Sequence, residues 1–152
     1  VSPGTYLLVG VANSGVLLAS RIAMITGLPM IYYVPPRKNE QFTDHEKNWK
    51  DQLTKVGARK AVLILGVNVT GESINNVQAF LRENSPEDTP ILIHSILGVV
   101  NRNMSCPSIE QLKENGVLVN FLLEEYPIDW CSYSERDCPY KRQCRERVQE
   151  AD

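Results

Sequence analysis

The sequence predicts an α/β fold: a parallel five-stranded sheet with helices on both faces, followed by an irregular or helical C-terminal tail. Three observations point to it. Five apolar runs of strand length are separated by helix-like or polar stretches, and such alternation implies a parallel sheet with right-handed crossovers. The first and third runs stop abruptly in small and polar residues, as strands do where they turn into helices. The chain, 152 residues long and 43% hydrophobic, is large enough to bury one sizeable core.

The elements follow in order. Thr5–Val11 is a continuous apolar run, suited to a strand buried on both faces. Val16–Thr26 has apolar residues at helical spacing, and Gly27 is a good stop. Met30–Val34 is a second strand, closed by Pro35 and Pro36. Residues 37–60 are polar, with Phe42, Trp49, Leu53 and Val56 as sparse apolar points; Asp44–Lys55 reads either as an amphipathic helix or as a loop. Ala61–Leu65 is the third strand and Ser73–Glu83 the second clear helix. Ile91–Val100 is a fourth strand, Ser108–Lys113 a short helix and Val117–Leu123 a fifth strand. Residues 1–123 then form the α/β core, and 124–152 a Cys-containing extension packed on or next to it.

Net charge is −2, so no global basic field recruits nucleic acid or an anionic membrane. No apolar run reaches the length of a membrane span, and no signal peptide is visible. Three of the four cysteines crowd into the tail, unlike a disulfide framework for a whole fold. The expectation is a cytoplasmic protein.

Chemistry concentrates at two turns. Ala61–Ser73 reads AVLILGVNVTGES: a buried strand, a tight turn and a helix start. Orphan amides and the helix dipole make such a turn an anion site. Gly66–Ser73 has the spacing of a nucleotide-binding P-loop, but Glu72 stands where that loop needs Lys for the β/γ-phosphates. The second turn is Gly10–Gly15, GVANSG. If their strands are neighbours, the two turns face one ligand. The bland alternative is that their glycines only permit tight turns.

The stretch resembles the signature of the type I phosphoribosyltransferases: four apolar residues, two acidic residues, then a loop of the form T-T-G-G-[ST]. By that resemblance Val69, Thr70, Gly71, Glu72 and Ser73 form the loop that cradles a 5-phosphate. Ala12, Asn13, Ser14 and Gly15 correspond to the pyrophosphate loop of the orotate phosphoribosyltransferase branch. Arg37 and Lys38 resemble the basic pair opening that branch's flexible loop, and His45 resembles a residue offered to the leaving group. The family's acidic pair, however, falls on Leu65 and Gly66. Neither can accept hydrogen bonds from ribose hydroxyls or help hold magnesium, which prefers carboxylate oxygens. Losing two acidic groups that act together removes decades of rate.

Three readings stay open. In the first, a phosphoribosyltransferase-like protein has lost conventional transferase activity and binds a phosphorylated, nucleotide-like ligand or a partner. The resemblance also implies a homodimer. In the second, it is a divergent active transferase or another enzyme on that scaffold, with Glu72, His45 and Lys38 as catalytic candidates. In the third, the tail carries the function: Cys131, Cys138, Cys144 and Cys106 supply thiolates for zinc or an iron–sulfur cluster, although their spacing is not that of a structural zinc site. No cofactor is firmly implied, and magnesium is not expected. His94 reads as a satisfied core residue.

Overall fold

The structure is a computed structural model, and it describes residues 6–34, 49–68, 70–102 and 106–124. Its elements are β1 (Tyr6–Val11), α1 (Ala12–Thr26), β2 (Met30–Tyr33), α2 (Trp49–Val56), β3 (Lys60–Asn68), α3 (Glu72–Asn84), β4 (Leu92–Asn101), α4 (Pro107–Glu114) and β5 (Leu118–Glu124). The strands make one five-stranded sheet in the order β2-β1-β3-β4-β5, and every pairing is parallel. The predicted fold class and strand count hold.

Period-two alternation sorts the side chains onto two faces. On one face Leu7, Val9 and Val11 of β1, Leu63 and Leu65 of β3 and Ile96 of β4 join one core. Leu53 of α2, Ile74, Val77 and Leu81 of α3 and Ile109 and Leu112 of α4 close it. On the other face α1 packs against β1 and β3. The approach is close because glycines line it. A methyl group on Gly10 would sit 2.8 Å from the Val16 Cα, and one on Gly15 would strike the Ile64 carbonyl oxygen. These two glycines serve the packing of α1 on the sheet, while the turn itself falls on Ala12.

Two boundaries differ from the sequence reading in ways that shape the site. Helix α1 starts at Ala12, four residues before the expected Val16. The turn is compressed into Ala12, which takes φ +55°, so Asn13, Ser14 and Gly15 lie in the helix's first turn and not in an open loop. Strand β3 continues through Gly66 and Val67 to Asn68, because Val67 and Asn68 pair with Val100 and Asn101 of β4. Helix α2 covers Trp49–Val56, so the expected helix is present over its later part, while residues 44–48 lie outside the described residues. Lys38, His45, Val69, Cys131, Cys138 and Cys144 lie outside the described residues.

Candidate anion site

The chain runs from β1 outward to β2, then crosses to β3 on the other side of β1. Strand order therefore reverses between β1 and β3, where open parallel sheets hold ligands beyond the strands' C-terminal ends. Val11 and Leu65 are register partners, so the two turns singled out in the sequence stand side by side. Helix α4 adds a third start beyond the neighbouring strand β4. The N-caps of α1, α3 and α4 are Val11, Gly71 and Cys106, and none makes a side-chain capping bond. Three positive dipole ends thus share one edge of the sheet, the kind of place where first-turn amides can meet an anion.

The turn into α3 is built tightly. Gly71 has φ +79°, a left-handed conformation that glycine adopts without penalty. Its carbonyl accepts the first helical bonds, from the amides of Ile74 at 3.0 Å and Asn75 at 3.1 Å. The Thr70 hydroxyl accepts from the Glu72 amide at 3.3 Å, so that hydroxyl is partly committed to shaping the turn. Glu72 is exposed and Ser73 half-buried. Cys106 lies beneath: its thiol donates to the Thr70 carbonyl at 3.5 Å. A methyl group on Gly71 would collide with the Cys106 Sγ. The fully buried Cys106 therefore joins the start of α4 to the turn before α3, a contact no sequence spacing announces.

The two positions aligned with an acidic pair have other occupations. Leu65 is 2% exposed and belongs to the core beneath the sheet. Gly66 faces α1, and the space a side chain would need there is filled by the Ser14 hydroxymethyl group. Ser14 is thereby a packing residue over β3, at the edge of the site.

A buried amide pair closes the β3–β4 end. Asn68 Nδ2 donates to Asn101 Oδ1 at 2.9 Å, each residue being 4% exposed, and the Arg102 amide donates to the Asn68 carbonyl at 2.9 Å. The sequence reading missed this pair. Its signal was a polar residue ending each of two apolar runs, visible only once the register aligns them. His94 lies near the opposite end of the sheet, half-buried and outside the buried core, its ring edge-on to Tyr6 at 5.3 Å. Among the described residues no group of three His, Cys, Asp or Glu side chains is placed to hold a metal ion.

No family model matches the sequence, and no curated protein does. Solved structures do match by shape. An orotate phosphoribosyltransferase from Aeropyrum pernix superposes with TM-score 0.55 at 22% identity, covering 78% of this chain and 59% of its own. A UMP synthase from Leishmania donovani gives 0.48 at 18% identity, over 78% of this chain and 23% of its own. The orotate phosphoribosyltransferase of Mycobacterium tuberculosis H37Rv, solved with inorganic phosphate, gives 0.41 at 15%, over 78% and 60%. The chain has a phosphoribosyltransferase-like fold, and it spans about three-fifths of the Aeropyrum protein's length.

Proposed function

We propose that this chain binds the phosphate of a phosphoribosyl or nucleotide-like ligand at the start of α3, and that it lacks conventional phosphoribosyl transfer. The single observation carrying the reading is the split character of the edge between β1 and β3. On the phosphate side, Thr70–Ser73 retain a glycine-led helix start beside the start of α1. On the ribose side, Leu65 is committed to the core and Gly66 lies under Ser14. An anion can be held by backbone amides and the Ser73 hydroxyl. No carboxylate stands at the Leu65–Gly66 positions to receive ribose hydroxyls or to ligate magnesium. The reading includes a homodimer: the outer ridge of α1 carries Leu17, Met24 and Ile25, all strongly exposed, a surface of the kind a second copy covers.

The test is a titration of the full chain with phosphoribosyl pyrophosphate, a nucleoside monophosphate and pyrophosphate, with turnover followed in parallel over the common nucleobases. The reading expects saturable binding of at least one ligand, weakened about tenfold or more by Ser73→Asp, which sets a carboxylate against the phosphate. It expects no turnover. Turnover with any base overturns the loss of transfer; no binding by any ligand overturns the phosphate site.

A further inference from the structure

The two faces of the sheet are unequally covered. Helices α2, α3 and α4 close one face, but among the described residues the other face has only α1, packed on β1, β2 and β3. Beside α1, no other described element covers the same face of β4 and β5, where Ser95 and Asn101 are nonetheless buried. The register places Ser95 beside Leu118 and Leu97 beside Asn120, and the period of two adds Val99 and Leu122 to that face. Leu97, Leu118 and Leu122 are 39%, 58% and 80% exposed. The strands of all-parallel sheets are ordinarily covered on both faces, and exposed leucines grouped on such a face, even with Ser95 and Asn120 among them, mark a surface that something occupies.

We infer that the occupant is this chain's own C-terminal segment, residues 125–152. Strand β5 is the sheet's edge and ends at Glu124. By the same alternation Glu124 lies on the face of Leu118 and Leu122, so the segment begins at the border of the patch. Its sequence supplies what the patch lacks: Tyr126, Ile128, Trp130, Tyr133 and Tyr140. Its acidic and basic residues nearly balance, so no net charge keeps it off an apolar surface. Reach is sufficient. Two strands are about 10 Å wide and seven residues of β5 about 23 Å long, and a helix of about 14 residues covers about 21 Å. Tethering also favours it over a second copy, because a short linker gives an effective concentration near millimolar. The inference does not depend on the phosphate site. It places the Cys131–Cys144 stretch against the sheet face opposite the α2–α4 core.

The experiment uses the full chain with a photo-crosslinking phenylalanine analogue at position 122, and separately at position 97. The inference expects crosslinks at monomer mass joining β4 or β5 to peptides within 125–152. Crosslinks between two chains, to other parts of the chain alone, or to nothing would overturn it. Independently, Leu122→Asp puts a charge on the patch without disturbing the core. Tryptic cleavage at Arg136, Lys141, Arg142, Arg145 and Arg147 should then quicken about tenfold, as expected when a docked segment opens more often. An unchanged cleavage rate would overturn the inference.

Discussion

Gly66 carries the sharpest single-residue consequence. An Asp there would supply the carboxylate that the sequence resemblance expects at this position, but its Cβ would fall on the Ser14 side chain. Gly66→Asp should therefore lower stability by about 1–3 kcal/mol, the usual range for overpacking, and should not by itself create transfer activity. Urea unfolding measures the first, and an assay with phosphoribosyl pyrophosphate the second. Ser14→Gly in the same chain should recover much of the loss, giving a coupling of about 0.5–3 kcal/mol in a double-mutant cycle; additive effects would show that the two residues do not compete for the space. Glu72 acts in the opposite sense. Its carboxylate helps the start of α3 but opposes an anion bound there. Glu72→Gln should tighten phosphate binding about two- to fivefold, the equivalent of a few tenths to one kcal/mol at a helix terminus. If Glu72→Gln instead abolished a measurable turnover, the enzymatic reading would replace this one.

At the scale of elements, the approach of α1 to the sheet is the feature that most limits the site. Gly15 lies against the Ile64 carbonyl, with no flexible side chain to move aside. Gly15→Ala should lift the start of α1 from β3 and cost about 1–3 kcal/mol, read as a lower urea midpoint with an unchanged m-value. This element also shows what the sequence could and could not reveal. The apolar runs and their turns disclosed the strands, because burial on both faces leaves a continuous signal. The start of α1 was misplaced because small residues serve equally in a loop and in a helix that must approach a strand closely. Gly66 is far in sequence from Gly10 and Gly15, and only the β1–β3 register shows that the three serve one contact. Cys106 beneath Gly71 and the Asn68–Asn101 pair were hidden for the same reason. The side-by-side placement of the two turns was legible as a condition on strand order, and the order β2-β1-β3 meets it.

For the molecule as a whole, stability at high pH reports on the core. Tyr33 is buried beside Phe80, with ring centroids 5.1 Å apart. Burial, and secondarily the charge of Glu83, push its phenol above the usual tyrosine value. Ionisation is then harder in the folded state than in the unfolded one. The associated stability is complete below the unfolded value of about 10 and is lost as pH rises through the higher folded value. Unfolding free energy should fall from about pH 10 upward, and Tyr33→Phe should flatten that decline. An alkaline limb identical in both proteins would assign the loss to other groups.

The two halves of the β1–β3 edge make the central claim: phosphate binding is kept and ribose chemistry is lost. Calorimetric titration of phosphoribosyl pyrophosphate into the full chain, in the presence of mixed nucleobases and magnesium, addresses both halves in one record. The account predicts a saturable isotherm in which each injection returns to baseline, and a much weaker one for Ser73→Asp. A steady heat flow from turnover, or a featureless titration of the unmodified chain, would contradict it.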